Sequence, residues 1–178
     1  MQDGNSERTV YVETYMTPPF KIDRTLELPV NIYDFTYAGD TIYFTQTDTI
    51  GIIVGAFDPE REEVLWSRYV STTKDAISCF PTVSEDMIYA SGHRAEWIYA
   101  MDRMTGDSIW AFPAGSNYIS SFAIRGDRFF VQLSDHGLVC LQKRSGELLW
   151  VYGSESTQTV PLVDDKYVYF SSELSDII

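Results

Sequence analysis

A motif that ends in tryptophan occurs three times in this chain. It reads Ala-Phe-Asp-Pro-Glu-Arg-Glu-Glu-Val-Leu-Trp over residues 56–66, Ala-Met-Asp-Arg-Met-Thr-Gly-Asp-Ser-Ile-Trp over 100–110, and Cys-Leu-Gln-Lys-Arg-Ser-Gly-Glu-Leu-Leu-Trp over 140–150. The three tryptophans are 44 and then 40 residues apart. A period of this length in a strand-rich sequence is typical of four-stranded sheets repeated around an axis. The repeat therefore predicts an all-β fold, a β-propeller of four-stranded antiparallel blades.

The strands of each blade can be placed from short apolar runs separated by turn residues. In the central copy they are expected at 77–83, 87–91, 97–101 and 108–112, with residues 92–94 as a loop. The preceding copy has runs at 32–37, 41–45, 51–57 and 64–69, and the following copy at 119–124, 128–133, 138–141 and 148–152. We therefore expect complete blades at about 32–75, 76–117 and 118–157.

Both ends of the chain carry material for part of a further blade, from residues 8–29 and 158–178. Runs at 160–163 and 167–171 resemble the first two strands of a blade, and runs at 20–23 and 26–29 resemble the last two. Two arrangements follow: a single four-bladed domain over 1–178 closed by strand exchange, or a section of a larger propeller. An open arc would expose apolar end faces and need a partner, either a second copy or further blades.

The repeated positions have structural explanations. The residues concerned are Trp66, Trp110, Trp150, Ala100, Asp102, Gly106 and Gly146. Glycine reaches a positive φ without strain where the hairpin turns, and an aspartate can accept backbone N–H bonds within the turn. A small residue at position 100 leaves room for the indole of the outer strand, and each indole buries roughly 150–250 Å².

The pattern Ala-x-Asp-x-x-Thr-Gly-x-x-x-Trp resembles the tryptophan-docking repeat of pyrroloquinoline-quinone-like (PQQ-like) propellers. That family includes quinoprotein alcohol dehydrogenases and the propeller lipoprotein of the outer-membrane β-barrel assembly machinery. The middle copy matches every position, whereas the third has Cys140, Gln142 and Ser145, and the first has Arg61-Glu62 in place of Thr-Gly. The resemblance covers about residues 32–171. It implies rings of six to eight blades and a periplasmic or secreted location.

Charge and hydropathy exclude several function classes. The formal net charge is −13, which argues against binding to nucleic acid or to an anionic membrane surface. It favours a basic partner or simple solubility. No run of about 18 apolar residues occurs, so no membrane span is expected. Two cysteines, Cys79 and Cys140, are too few to indicate a redox compartment.

The sequence offers no catalytic constellation. An adjacent cysteine pair and an Asp-x-Asp-x-Asp-Gly calcium loop are both missing from the sequence, as is a Gly-x-Ser-x-Gly elbow. Two histidines and two cysteines on separate strands and loops are more simply explained as solvated or packing residues than as a zinc site. We therefore expect no catalytic residue, cofactor or metal. The alternative is a fragment of a quinoprotein dehydrogenase whose ligands come from other sequence.

A binding surface is the favoured functional hypothesis. Loops between second and third strands, and those between blades, should emerge at one end of the propeller. The candidate binding residues there are His93, Arg94, Trp97, Tyr118, Asp135 and His136. Exposed aromatics and arginine are typical of interaction hot spots. Trp97 lies outside the repeated tryptophan position, so it either packs in the core or anchors a protein or small-molecule ligand. The opposite end is expected to be acidic and solvated.

Overall fold

The regular elements of the chain are β-strands throughout the part that the structure describes. In this computed structural model the described residues are 25, 32–73, 77–78, 81–93, 95–115, 119, 122–153 and 160–171. Within those ranges there is no helix. The sheets are antiparallel and three of them have four strands each. The predicted all-β propeller of four-stranded blades is confirmed.

Each blade is a sheet whose strands run in sequence order from the inner to the outer strand. Blade 1 contains β1 (Asp34–Ala38), β2 (Thr41–Thr47), β3 (Ile52–Asp58) and β4 (Glu63–Ser71). Blade 2 contains a four-stranded sheet of β6 (Thr82–Ser84), β7 (Met87–Ala90), β9 (Trp97–Asp102) and β10 (Ser108–Pro113), and a separate two-stranded sheet of β5 (Ile77–Ser78) and β8 (Gly92–His93). Blade 3 contains β11 (Phe122–Arg125), β12 (Arg128–Leu133), β13 (Gly137–Gln142) and β14 (Leu148–Tyr152).

The inner strand of blade 2 differs from the prediction of one strand over 77–83. It is divided into β5 and β6, and β5 pairs with β8, so residues 92–93 form a strand rather than part of a loop. Pro81 lies between the two pieces, and proline has no backbone N–H to donate to a sheet. Its carbonyl instead accepts a hydrogen bond of 2.6 Å from the hydroxyl of Thr36 in blade 1.

After blade 3 the chain begins another sheet. Strands β15 (Leu162–Val163) and β16 (Val168–Tyr169) pair as a two-stranded antiparallel ladder. They fall within the runs expected for the first two strands of a fourth blade. The strands expected at 20–23 and 26–29, and most of the partial blade over 8–29, lie outside the described residues.

The apolar core lies between neighbouring blades. One cluster joins blades 1 and 2 and includes Tyr43, Trp66 and Ile88. A second joins blades 2 and 3 and includes Trp110 and Phe129. Because blade 2 packs against a neighbour on each face, all four residues of its β7 are buried and show no alternation, whereas its outer strand β10 is mostly exposed.

The antiparallel order gives the propeller two chemically different ends. In each blade, tight turns connect the first strand to the second and the third strand to the fourth. These turns lie at one end of the propeller, which we call the turn end. There the N–H of Arg103 donates to the carbonyl of Asp86 (3.0 Å), and that of Lys143 to Asp127 (2.8 Å). The loops after each second and fourth strand lie at the other end, which we call the loop end.

Candidate functional site

Two of the repeated tryptophans connect one blade to the next. The indole Nε1–H of Trp66 donates to the backbone carbonyl of Arg103 (3.1 Å), and that of Trp110 donates to the carbonyl of Lys143 (3.0 Å). Positions 103 and 143 are equivalent and belong to the β3–β4-type turn of the following blade. Both indoles are buried, at 7% and 8% exposure. Each tryptophan is therefore an anchor between blades.

The glycine in each of these turns provides the surface on which the indole rests. A Cβ on Gly106 would lie 2.5 Å from Cε3 of Trp66, and one on Gly146 would lie 2.7 Å from Cδ2 of Trp110. Both glycines also have φ +72°, where a side chain is strained. The sequence indicated only that glycine is needed at these positions for the positive φ. The close approach of the preceding blade's tryptophan is a second and independent reason for glycine.

The polar residue four positions before each glycine organises the turn. Asp102 Oδ1 accepts backbone N–H bonds from Met104 (2.8 Å) and Thr105 (2.9 Å). In the third copy Gln142 Oε1 accepts the equivalent bonds from the two residues at 144 and 145, at 2.6 and 2.8 Å. An amide oxygen thus replaces the carboxylate without loss of the turn.

A small residue faces each tryptophan across the sheet. The strand register pairs Ala56 with Trp66, Ala100 with Trp110, and the third of these positions, Cys140, with Trp150. Burial raises the pKa of the Cys140 thiol to about 11, so the sulfur is a poor nucleophile at neutral pH. Cys140 acts as a small packing residue. Cys79 lies outside the described residues.

The third tryptophan and the first turn depart from this arrangement. Trp150 is only partly buried, and with Leu138, Tyr152, Val168 and Phe170 it borders an apolar cleft of about 410 Å³ between blade 3 and β15–β16. In blade 1, position 62 is a glutamate at φ 56° where the other copies have glycine. The first copy therefore lacks the glycine surface on which the indole rests in the other two turns.

Ion pairs cross the junction between blades 2 and 3 at the turn end, where the paired carboxylates remain exposed to solvent. The ammonium of Lys143 lies 3.3 Å from Glu85, and its side chain is 5% exposed. The guanidinium of Arg144 contacts Glu85 at 2.9 Å and Asp86 at 3.1 Å. The hydrogen bond from Arg144 is the main cause that lowers the pKa of Asp86. Many of the carboxylates at this end are thus already paired.

The candidate binding residues that the structure describes lie at the loop end. Trp97 starts β9 in blade 2 and is 41% exposed, so it is not fully buried in the core. Asp135 and His136 are exposed in the turn before β13 of blade 3. His93 belongs to β8, and its side chain is not described; Arg94 and Tyr118 lie outside the described residues. Of the described candidates, Trp97 lies in blade 2, whereas Asp135 and His136 lie in blade 3.

Trp97 borders a groove that the sequence did not reveal. The groove has a volume of about 230 Å³ and is lined by residues 69–73 of blade 1 with Glu96, Trp97 and Tyr99 of blade 2; we call it the junction groove. Tyr69 is held there by a hydrogen bond of 2.7 Å from its hydroxyl to Asp48 Oδ2. That bond and two backbone N–H bonds lower the pKa of Asp48. Tyr69 and Trp97 are far apart in sequence and outside the repeat, so no spacing pattern links them.

The described residues include no group of three or more His, Cys, Asp or Glu that could hold a metal ion. Among the same residues there is also no helix long and apolar enough to cross a membrane.

Sheets of four strands joined by docked tryptophans define a β-propeller of the PQQ-like class. The chain belongs to the PQQ-like repeat family: the family profile described as outer membrane protein assembly factor BamB matches residues 50–176. The family resemblance read from the tryptophan repeat is thereby confirmed. No curated protein is significantly similar in sequence.

Solved structures share the fold at low sequence identity. The computationally designed Ika4 protein matches with a TM-score of 0.72 and 11% identity, over 89% of this chain and 97% of Ika4. BamB from Moraxella catarrhalis gives 0.58 and 15%, over 75% of this chain and 40% of BamB. Quinohemoprotein alcohol dehydrogenase from Comamonas testosteroni gives 0.54 and 13%, over 72% and 21%. The chain thus spans about two-fifths of that BamB and one-fifth of that dehydrogenase.

Proposed function

We propose that this chain is a non-catalytic propeller that binds a protein partner or ligand through its loop end, as an interaction scaffold or a ligand-sensing module. The observation that carries the proposal is a contrast among the tryptophans. Trp66 and Trp110 are buried between blades, whereas Trp97 is 41% exposed at the loop end. Exposed tryptophan beside polar residues is characteristic of binding surfaces.

The family supports a binding role and an extracytoplasmic location. The profile that covers residues 50–176 is described as an outer membrane protein assembly factor, which is a statement about that family's named member. From this relationship we propose an extracytoplasmic location, in the periplasm or outside the cell. A net charge of −13 adds a preference for partners that present basic groups.

A second candidate is a section of a quinoprotein dehydrogenase, because the similar structures include a quinohemoprotein alcohol dehydrogenase and a europium-containing methanol dehydrogenase. The residues in the described ranges do not fit such a metal, since they contain no suitable group of carboxylates, histidines or cysteines. Reconstitution with pyrroloquinoline quinone and calcium, followed by dye-linked alcohol oxidation, tests it. Turnover would overturn the non-catalytic proposal.

The loop end is tested by replacing His93, Arg94 and Trp97 together with alanine. A matched control is Tyr167→Ala, which removes an aromatic residue that is 52% exposed at the turn end. Quantitative crosslinking in native extract should retain partners with wild type and control and lose them with the triple variant. Thermal unfolding must show that all three proteins are folded. Equal capture by all three would show that the loop end is not the binding surface.

We further propose that blades at about 32–75, 76–117 and 118–157 form one propeller unit with the partial blade from 8–29 and 158–178. The start of a fourth blade in β15–β16, after three complete blades, supports a four-bladed ring. Light scattering during size-exclusion chromatography tests it. A monomer at all concentrations agrees with a closed ring, whereas association indicates a homodimer or a need for further blades.

A further inference from the structure

The junction groove combines flat apolar surfaces with hydroxyl and carboxylate groups. The apolar part comes from the rings of Tyr69, Trp97 and Tyr99, and of these Tyr69 and Trp97 are 47% and 41% exposed. The polar part comes from the hydroxyls of residues 71–73 and from Glu96. Pockets that take small molecules usually pair aromatic walls with a few placed polar groups in this way.

The hydrogen bonds within the groove leave both donors and acceptors for a ligand. The Ser71 hydroxyl oxygen accepts from the N–H of Thr73 (3.1 Å), which leaves its O–H free to donate outward. The Tyr69 hydroxyl donates to Asp48, which leaves its oxygen to accept. Glu96 is exposed at the rim and offers two carboxylate oxygens as acceptors. A ligand rich in hydroxyl groups, each both donor and acceptor, matches this set.

The ligand class follows from three further properties of the groove. A pyranose ring has an apolar C–H face that stacks on an indole and a rim of hydroxyls that needs donors and acceptors. Among the described lining residues the charged side chain is that of Glu96, and its carboxylate disfavours a phosphorylated or otherwise anionic ligand. A volume of about 230 Å³ is below the usual range for drug-sized ligands, roughly 300–1,000 Å³, and suits a single ring.

We propose that the junction groove binds a neutral sugar ring, stacked on Trp97 and hydrogen-bonded by Glu96 and the hydroxyls of residues 69–73. The proposal rests on the loop end being the binding surface and assigns a ligand class to part of it. The groove requires two neighbouring blades, because the aromatic rings come from β4 of blade 1 and from β9 of blade 2. Trp97 is the residue that determines affinity.

The test uses the full chain and four neutral disaccharides: cellobiose, maltose, lactose and N,N′-diacetylchitobiose. Saturation-transfer NMR followed by calorimetry should detect at least one of them with a Kd near about 1 mM, as suits one shallow site. Trp97→Ala should weaken that sugar by about tenfold or more, and Trp97→Phe should lose less because a flat ring remains. Glu96→Gln should weaken it by a smaller factor without any change in packing.

Tyr167→Ala is the control, since it removes an exposed tyrosine far from the groove, and it should bind like wild type. Absence of saturation transfer to all four sugars at about 20 mM overturns the sugar proposal. If Trp97→Ala and Glu96→Gln both bind the sugar as strongly as wild type does, the proposal is also overturned, because the site would lie elsewhere. Intact partner crosslinking without sugar binding refutes the sugar proposal alone, whereas sugar binding without partner capture refutes the protein-scaffold role alone.

Discussion

The turn end and the loop end of the propeller use tryptophan in opposite ways. At the turn end Trp66 and Trp110 are buried, their N–H groups are bonded to the next blade, and glycines make room for their rings. At the loop end Trp97 has a large exposed surface beside a groove. The comparison shows that tryptophan joins neighbouring blades at the repeated position and is exposed for binding at a position outside the repeat.

The largest expected effect is the loss of a docked tryptophan. Trp110→Ala removes a buried indole, its hydrogen bond to Lys143, and its edge contact with Phe129, whose ring centroid lies 5.8 Å away. It should lower the free energy of unfolding by about 3–5 kcal/mol. Trp97→Ala is the matched control and should cost less than about 1 kcal/mol. Urea unfolding measures both, and equal losses would erase the distinction between the two ends.

The next largest loss of stability is expected when a side chain is added to Gly146, the glycine on which the Trp110 indole rests. Gly146→Ala places a Cβ 2.7 Å from the Trp110 ring and forces alanine to φ +72°. Strain and overpacking together should cost about 2–3 kcal/mol. Gly126→Ala is the control, because its φ is also positive but no atom lies within 4 Å of the added Cβ. If both variants lose the same stability, the indole does not rest on residue 146.

The ion pairs at the turn end predict a pH dependence. The pKa of Asp86 is lowered in the folded protein, mainly by the hydrogen bond from Arg144. The stabilisation from this carboxylate is therefore fully present above its unfolded pKa of about 4 and is lost as the pH falls through the folded value. Urea midpoints from neutral to acidic pH should fall less steeply for Arg144→Gln than for wild type. Parallel profiles would show that this pair does not join blades 2 and 3.

The smallest expected effect is a gain in stability at the first turn. Glu62 is held at φ 56°, where an L side chain is strained by roughly 1–2 kcal/mol. Glu62→Gly relieves that strain but loosens the unfolded chain, so a net stabilisation of about 0.5 kcal/mol is expected. Glu63→Gly, one residue later in β4, should instead destabilise by about 0.5–1 kcal/mol. A thermal-melt comparison that gave both variants the same sign would contradict the role assigned to position 62.

Contacts within a blade were predictable from the sequence, and contacts between blades were not. The period of the Trp motif placed the strands and the β3–β4-type turns, because each turn depends on neighbours such as Asp102 and Gly106. It did not show that Gly106 carries Trp66, since the two belong to different blades. The junction groove was missed for the same reason: Tyr69 and Trp97 meet through blade packing alone. The division of the inner strand of blade 2 at Pro81 was not predicted, because the apolar run continues on both sides of the proline.

The most direct test of the anchoring role of the tryptophans is a double-mutant cycle on Trp110→Ala and Gly146→Ala, followed by urea unfolding. If the indole rests on residue 146, the added methyl group has room once the indole is gone. Gly146→Ala should then cost at least about 1 kcal/mol less in the Trp110→Ala background than in wild type. Costs that add to within about 0.5 kcal/mol would mean that the two residues do not touch, and that the blades are joined in some other way.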